Sequence, residues 1–540
     1  MAKRKTYSSV LNAPVPQTVR TSPDQVKNSA GGFVWAVDKW DQLRRFLLIG
    51  TMGGTYYINE SKLTRDNVAA LEACLAEDAT RFVSEVTDAR KGNRALKTDS
   101  ILFALAMAVK EPASRDMALA SVPEVCKTGT QLFQLVGELD GLGAGWGRKV
   151  RRGIASWYNR MPLDKLSYQL AKYQQREGWS HRDVLRLCHP DPKTGAGWEA
   201  EKAEGPAAKS YRDALYRWAV GKPLGETLAL SGTAAAFEHA KATDKAGVVD
   251  LIREHNLPRE CVPTQFLNDK DVWLALLEKM PATAMVRNLG KMGSLGLFDG
   301  IAKMTVCERL TDPKWVADSR IHPLSFYLAL KVYSRGQGVK GSLTWRVEGD
   351  VLDALSKAVE LSFGSLPKTD KRIRVAVDYS GSMQSPTTNP LIQNHEAAAV
   401  MAKAFLHQGD CDVLGFGTGR KWIGVSKGQR VDDMAKSFYV APEGTDMGQA
   451  FCDPDRKADV VVVFTDNETW AGRSHANDEW RKFAALNPGA KVVVCAMAAN
   501  SYSGIDPGRA DVLQVVGFDT AIPQIVATFA GLDSPSSEEE

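Results

Sequence analysis

The sequence predicts a protein of at least two domains, a long α-helical solenoid followed by a doubly wound α/β domain. A chain of 540 residues is longer than one hydrophobic core normally serves. Up to about residue 365, helical patterns follow one another with short breaks and without convincing strand alternation. After Lys368 the pattern changes to short apolar strands that alternate with helices. The first pattern is typical of stacked helix pairs, and the second of a parallel sheet covered on both faces.

The composition indicates an ordinary globular protein, with 44% apolar and 24% charged residues. No apolar run approaches the roughly 20 residues of a membrane helix, and the basic amino terminus lacks the apolar segment of a signal peptide. The eight cysteines are scattered and form no CxxC pair, which argues against a disulfide framework or a zinc site. We therefore expect a cytoplasmic protein with reduced thiols and no membrane partner.

Four segments follow from these patterns. Residues 1–25 are polar and contain several prolines, which predicts a flexible amino-terminal arm. Residues 26–367 form the helical domain, whose first helical pattern is Trp40–Ile49. Residues 368–532 form the α/β domain, and residues 533–540 are an acidic tail that we expect to be frayed.

The net charge of +4 conceals an asymmetry between the two predicted domains. The part before Asp370 carries a net charge of +11, and the part from Asp370 onward carries −7. A basic front part favours a polyanionic partner such as a nucleic acid. The alternative is that the excess lies on ordinary solvated faces, and charge alone leaves both interpretations open.

One loop of the α/β domain has the residues of a metal site. Asp378, Ser380 and Ser382 directly follow an apolar strand, and Thr445 and Asp466 add donors from two later segments. Both aspartates follow strands, and ligands of such sheets bind beyond the carboxyl ends of the strands. Hard oxygen donors suit Mg²⁺, Ca²⁺ or Mn²⁺ rather than zinc or copper. The structural alternative is that Asp378 and Ser380 only cap the loop.

In this order the three segments resemble the metal-ion-dependent adhesion site (MIDAS) of von Willebrand factor A domains. Mg²⁺ is the expected cofactor, because it dehydrates reluctantly and accepts one or two carboxylates together with water. Metal-assisted hydrolysis would need a positioned base or a second metal ion. His395 and His475 lie in the same domain, but we interpret them as surface or capping residues. We therefore assign no catalytic residue and expect a protein that is not an enzyme.

A second group of candidate residues lies in the helical domain. Leu163–Arg176 is predicted to be one helix, with Lys172 and Arg176 on a shared face and Gly178 at its carboxyl end. The next helix is predicted to start with a capping box at Ser180 and to end at His189.

More basic residues lie just upstream, interleaved with Trp157 and Tyr158; they are Arg148, Lys149, Arg151, Arg152 and Arg160. Cations and aromatic rings together suit phosphate contacts and stacking on unpaired bases. The alternative is a solvated helix face with cations near helix carboxyl ends, and the residues alone leave both open.

Nearly the whole chain, from about residue 25 to about residue 530, resembles the Ro ribonucleoproteins, the TROVE-domain family of the Ro autoantigen and its bacterial and phage relatives. The matching stretches occur in order along both domains; they are Asn28–Phe33, Lys172–His181, Leu185–His189, Arg287–Met292, Ile321–Pro323, Ala376–Met383, Phe464–Trp470 and Gly517–Thr520. Tyr379 departs from this pattern, since many relatives carry a smaller aliphatic residue there.

The resemblance implies a ring of HEAT-like helical repeats that is closed by the von Willebrand factor A domain. It implies that Y RNA binds the outer surface through Lys172, Arg176 and His189, and that single-stranded ends of misfolded or structured RNAs enter a positively lined central hole. It also implies a role in RNA quality control and, in a bacterium, a partnership with polynucleotide phosphorylase. Apart from RNA, the ring is expected to be monomeric. Two other functions stay open, namely a metal-dependent adhesion module without an RNA role and a Mg²⁺-dependent nuclease.

Overall fold

We describe the protein from a computed structural model. The structure describes residues 14–50, 60–91, 95, 98–192, 206–224, 228–339, 341–363, 369–387, 389–438, 443–453 and 456–530. The acidic tail 533–540 and residues 1–13 of the expected arm lie outside these ranges.

The front part of the chain is helical, as predicted. Its α-helices are α1 Lys39–Ile49, α2 Glu60–Glu77, α3 Ala79–Lys91, α4 Asp99–Lys110, α5 Arg115–Val125, α6 Gly129–Gly141, α7 Arg148–Asn159, α8 Leu163–Lys172, α9 His181–Cys188, α10 Pro206–Ala219, α11 Gly232–Ala240, α12 Lys245–His255, α13 Lys270–Glu278, α14 Ala282–Arg287, α15 Leu289–Ser294, α16 Ile301–Thr311, α17 Pro313–Ser319, α18 Pro323–Ser334 and α19 Gly349–Leu361. Several begin at an N-cap whose side chain accepts a backbone N–H, as at Asp38, Thr128 and Asp244.

The back part is an α/β domain. Its helices are α20 Asn394–Lys403, α21 Val431–Ser437, α22 Ala476–Leu486 and α23 Ile522–Ala530. The strands of the whole chain are β1 Gln25–Lys27, β2 Phe33–Ala36, β3 Gln175–Arg176, β4 Trp179–Ser180, β5 Arg372–Asp378, β6 Asp410–Phe416, β7 Arg420–Trp422, β8 Val460–Thr465, β9 Lys491–Ala496, β10 Tyr502–Ser503 and β11 Val512–Val516.

The main sheet has the strand order β11-β9-β8-β5-β6-β7, with β7 antiparallel at one edge and the other neighbours parallel. Alternate side chains of its central strands enter different cores. Val375 and Val462 pack into the core shared with the helical region, whereas Ala376 and Val461 pack on the opposite face, against Trp480 of α22. Both faces of β5 and β8 are therefore covered, which explains why these strands are continuously apolar.

The helical region begins and ends on the α/β domain. At its far end, Lys331 of α18 pairs with Glu396 of α20 at 2.5 Å, and the His322 ring lies 2.8 Å from the carbonyl of Phe518. At its beginning, β2 pairs with β10 of the α/β domain, with Ala36 opposite Tyr502. The α/β domain therefore joins the two ends of the helical region.

A buried arginine holds the first of these two junctions. Arg45 of α1 is 1% exposed, and its Nη1 donates to the carbonyls of Asn500 and Tyr502 at 2.9 and 2.8 Å and to Asn500 Oδ1 at 3.0 Å. Burial lowers the pKa of this guanidinium to about 10, so it is still charged at neutral pH.

Residues 14–25 do not form the flexible arm that the sequence predicts. Gln17 is buried; its backbone N–H bonds to the carbonyl of Gly472, and its side chain accepts the N–H of Ala476. Gln25 begins β1 and bonds to His475 at 3.2 Å. A polar, proline-containing segment looks like an arm in the sequence, but here its polar groups are satisfied by the α/β domain.

All eight cysteines are free. Within the described ranges, no helix combines the length and the apolar character that a bilayer-crossing segment requires.

We expect Arg45→Met to lower the free energy of unfolding by about 3 kcal/mol, because the substitution leaves several buried oxygen acceptors without a donor. Arg44→Met on the same helix is the matched control. Arg44 is partly exposed and pairs with Glu85 at 2.6 Å, so its loss should cost less than about 1 kcal/mol. Equilibrium denaturation measures both, and equal effects of the two substitutions would contradict a special role of Arg45.

Candidate functional site

The two aspartates of the predicted metal site meet at one edge of the sheet. Asp378 is the last residue of β5, and Asp466 follows the last residue of β8. These strands are parallel neighbours, with Val377 opposite Phe464. Both carboxylates therefore lie beyond the carboxyl ends of adjacent strands, as the sequence predicted.

The loop after Asp378 places the Ser380 hydroxyl beside Asp378 and the Ser382 hydroxyl beside Asp466. Asp378 Oδ1 accepts the N–H of Ser380 at 2.9 Å, and Oδ2 accepts the hydroxyl of Thr465 at 2.7 Å. The hydroxyl oxygens of Ser380 and Ser382 are 3.2 Å apart. Asp378, Ser380 and Ser382 are all buried, so these oxygens form a compact cluster that is shielded from bulk water.

Thr445 supplies an unused oxygen. It is fully buried, and its hydroxyl has no hydrogen-bond partner among the described residues. Its carbonyl, in contrast, accepts the N–H groups of Trp470 and Ala471 at 3.0 and 2.9 Å. A buried hydroxyl without a partner is costly, and a bound cation would give this oxygen a function.

The electrostatics of the two aspartates also favour a bound cation. Burial, and then the nearby charge of Asp466, raise the pKa of Asp378 to about 7. Burial also raises the pKa of Asp466, although a hydrogen bond with Ser382 opposes this rise. Two buried carboxylates therefore share one site and repel each other. Two carboxylates beside the hydroxyls of Ser380 and Ser382 fit a hard divalent cation.

His395 and His475 are both buried, so neither is a surface residue, although His475 does occupy the N-cap position of α22. His395 Nδ1 lies 3.3 Å from the carbonyl of Met383. His475 directly precedes α22, but both of its ring nitrogens have partners, since Nδ1 faces Gln25 and Nε2 faces the carbonyl of Val19 at 2.8 Å.

Lys172 is the last residue of α8, which ends four residues earlier than predicted, and it lies between two tyrosines. Its Nζ is 2.9 Å from the hydroxyl of Tyr168 and lies 5.1 and 5.5 Å from the ring centres of Tyr168 and Tyr173. These contacts hold the ammonium group while the residue stays half-buried.

Arg176 is not helical, so the prediction that it shares a helix face with Lys172 is wrong. The chain leaves α8 and forms the hairpin β3–β4, with Arg176 opposite Trp179. Its turn consists of Glu177 at φ 54° and Gly178 at φ 77°. Two successive positive φ angles are typical of tight hairpin turns, so the glycine serves this turn rather than a helix end. Arg176 is exposed.

His189 lies where the sequence predicted it, at the end of α9. The capping box is present, because Ser180 accepts the N–H of Asp183 while the Asp183 carboxylate accepts the N–H of Ser180 at 3.0 Å. His189 follows the helix in the left-handed region, at φ 46°, and is exposed. Lys172, Arg176 and His189 therefore belong to one helix–hairpin–helix segment.

The helix α7 separates its cations from its aromatic rings. Its exposed residues include Arg148, Lys149, Arg151 and Arg152. Trp157 and Tyr158 are instead buried; Trp157 donates to the carbonyl of Cys126 at 2.6 Å, and the Tyr158 hydroxyl meets His181 at 2.9 Å. Of the two interpretations left open for this segment, stacking of these two rings on bases is therefore excluded by their burial, whereas the exposed basic face is present.

Sequence reasoning missed the residues that support these sites. Thr465, Tyr168 and Tyr173 were not singled out, because a hydroxyl or a ring next to a site looks like any other in the sequence. Asn28 was noticed only as part of a family motif, without a role, although its side chain bonds to the loop that follows Asp466.

Comparisons with known proteins match both domains. The family model of the TROVE domain matches residues 26–222 and 251–332, and the model of the Ro60 vWA domain matches residues 372–530. The RNA-binding protein RO60 of Deinococcus radiodurans is 35% identical over 95% of this chain and 97% of its own length. The protein of the same name from Caenorhabditis elegans is 32% identical over 95% and 91% of the two chains.

A solved structure matches as well. The crystal structure of the Deinococcus radiodurans Ro protein superposes with a TM-score of 0.65 at 32% sequence identity, and the match covers 91% of this chain and 99% of that one. The similarity therefore covers the helical domain, the α/β domain and their arrangement in one chain.

We expect Asp378→Asn to stabilise the metal-free protein at pH 8 and to lose this effect toward pH 5. The folded-state pKa of Asp378, about 7, lies above the value of about 3.9 for a free aspartate. The penalty on the folded state is therefore complete above about pH 7 and decreases as the pH falls from about 7 to about 4, so that only a minor part of it remains at pH 5. Denaturation in EDTA at both pH values measures the difference, with Asp318→Asn on the exposed surface as the control. A substitution that destabilises equally at both pH values would contradict the repulsion between the aspartates.

Proposed function

Because the chain belongs to the Ro family of TROVE-domain proteins, we propose that it is an RNA-binding ribonucleoprotein scaffold. In this proposal a small Y RNA binds the outer surface of a helical ring, and single-stranded ends of misfolded or structured RNAs enter its central hole. The protein acts in RNA quality control in the cytoplasm, and a bacterial host would supply polynucleotide phosphorylase as its partner. The two relatives named RNA-binding protein RO60 support the RNA partner.

The observation that carries the outer-surface site is the helix–hairpin–helix segment 163–189. Arg176 and His189 are exposed, Lys172 is held between two rings, and the exposed cations of α7 lie just upstream along the chain. α9 packs against α7, so both sets belong to one contiguous part of the helical domain. Phosphates neutralised by such cations release counterions, which makes the affinity fall steeply with salt.

The hairpin suits recognition of a folded RNA better than the predicted helix face would. It carries Arg176 away from the helix axis, while the left-handed turn at His189 ends the next helix. The RNA therefore meets Lys172, Arg176 and His189 on three successive backbone elements, namely a helix end, a hairpin and the end of the next helix. Such an arrangement favours selection by shape together with charge.

Asp378, Ser380, Ser382, Thr445 and Asp466 hold the divalent ion in this proposal, most favourably Mg²⁺. The orphaned hydroxyl of Thr445 and the mutual repulsion of the aspartates support it. When bound, the ion supplies a Lewis-acidic position that accepts an acidic group of a partner. The residues of this chain orient the ion and shield it, and we assign none of them a catalytic role.

We expect the combined change of Lys172, Arg176 and His189 to alanine to weaken binding of a Y-like RNA at least about tenfold, and to reduce the salt slope by about 1.5 because two phosphate contacts are lost. Filter binding over a salt series measures both. The matched control removes a lysine, an arginine and a histidine elsewhere, at the exposed positions Lys436, Arg481 and His255.

A loss of less than about twofold, or the same loss in the control variant, would contradict the outer-surface site. RNA with a single-stranded end and no Y-like fold serves as a second ligand. If the hole is a separate site, the triple variant should bind this ligand nearly as well as the unsubstituted protein does.

We expect Mg²⁺ to raise the melting temperature of the protein, and Thr445→Val to remove most of this rise. A cation at 100 times its dissociation constant stabilises the folded state by about 2.7 kcal/mol. In EDTA, Thr445→Val should not destabilise, because it replaces a buried hydroxyl that has no hydrogen-bond partner within the described ranges. Scanning calorimetry measures all four conditions. A full Mg²⁺ effect in Thr445→Val would show that this hydroxyl is not a ligand.

A further inference from the structure

The loop that follows Asp466 is held from the other domain by one amide side chain. Asn28 lies after β1 and is 5% exposed. Its Nδ2 donates to the carbonyl of Thr469 at 2.9 Å and to that of Asn467 at 3.4 Å, while its Oδ1 accepts the N–H of Gly32 at 2.8 Å. Asn28 therefore ties the amino-terminal hairpin, formed by β1 and β2, to the backbone of the loop that follows Asp466, which we call the metal-binding loop.

Further contacts lie in the same seam, which is the contact between the amino-terminal hairpin and the loops around residues 466 and 500. The Glu468 carboxylate accepts the N–H of Ala30 at 3.1 Å and the hydroxyl of Tyr502. At Gly32 the two backbones nearly touch, since a Cβ there would lie 2.0 Å from the carbonyl oxygen of Thr469. This position accepts only glycine, so the hairpin cannot shift without disturbing the loop.

The backbone of Asp466 itself is also held. Its carbonyl accepts Asn500 Nδ2 at 2.5 Å, and Asn500 in turn receives Arg45 from α1. Asn467, the next residue, has a positive φ of 62°, a conformation that needs support from its surroundings. The position of the Asp466 carboxylate thus depends on contacts made by residues from the beginning of the chain.

We propose that Asn28 is a positioning residue for the metal site, so that cation binding and docking of the amino-terminal hairpin stabilise each other. This inference rests on the metal site proposed above. Residues that hold a ligand from outside the coordination shell strongly affect metal affinity, because the ligands must converge within narrow limits. The coupling is reciprocal, so a bound cation strengthens the seam that joins the start of the helical domain to the α/β domain.

The first test is a calorimetric Mg²⁺ titration of the full chain. Asn28→Ala should bind Mg²⁺ about tenfold more weakly than the unsubstituted protein. Gln25→Ala is the matched control, because Gln25 is a buried amide of the same segment that bonds to His475 instead of the metal loop. Its Mg²⁺ affinity should stay within about twofold, below the effect of one typical hydrogen bond.

The second test measures the reciprocal effect by hydrogen exchange. The amides of Ala30 and Val37 bond across the seam, to Glu468 and to the carbonyl of Ser501. Mg²⁺ should slow their exchange about tenfold in the unsubstituted protein and leave it unchanged in Asp378→Asn. If Asn28→Ala does not fold, this measurement alone tests whether cation binding and docking of the hairpin are coupled.

The outcomes separate the two proposals. If the unsubstituted protein binds no Mg²⁺, both the metal site and its coupling to the hairpin are wrong. If it binds Mg²⁺ but Asn28→Ala binds equally well, or Gln25→Ala loses as much, the coupling alone is wrong. Exchange that does not respond to Mg²⁺ in a protein that binds the ion also overturns the coupling alone.

Discussion

The buried guanidinium of Arg45 is the interaction on which the architecture depends. It brings a charge from the first helix into the α/β domain and satisfies it there with oxygens of Asn500 and Tyr502. A buried charge is tolerated only when it is fully hydrogen-bonded, so this contact tolerates few other arrangements of the two domains. The helical region is thereby closed at a defined place, and the loops around residues 466 and 500 receive their positions from it.

The two junctions of the helical region differ in their chemistry. At the far end the apolar core runs without interruption from helices such as α18 into the sheet, and Leu330 and Val377 belong to the same cluster. At the beginning Val516 of β11 also packs into the apolar core of the front helices, and hydrogen bonds of Asn28, Arg45 and Glu468 add directional contacts. Apolar continuity stabilises without much directional preference, whereas hydrogen bonds require a narrow geometry. The polar contacts thus fix the relative position of the two domains more narrowly than the apolar ones do.

Much of the α/β domain and its candidate site could be predicted because local rules determine them. Continuous apolar runs indicated covered strands, and Asp378 and Asp466 could be placed together because parallel strands end at one edge. The path around Arg176 could not be predicted in the same way. A run with helical spacing gave no sign that Glu177 and Gly178 would turn the chain, and short hairpins depend on what they pack against.

The burial of Trp157 and Tyr158 has a similar explanation. On an amphipathic helix, aromatic residues beside arginines have the same sequence pattern whether they face an RNA or the core. Only the position of α9 and of Cys126 decides between the two. The amino-terminal junction could not be predicted from the sequence for another reason, since its partners lie more than 430 positions apart in the chain.

The pairing of β2 with β10 also determines when the molecule can be completed during synthesis on a ribosome. β2 is made among the first residues, whereas its partner strand emerges only after Tyr502 has been added. Throughout the translation of the helical region, one edge of β2 and the charge of Arg45 therefore lack their final partners. A nascent chain must keep this unpaired edge from associating with other strands. The ring is thus closed last, by residues that were made first.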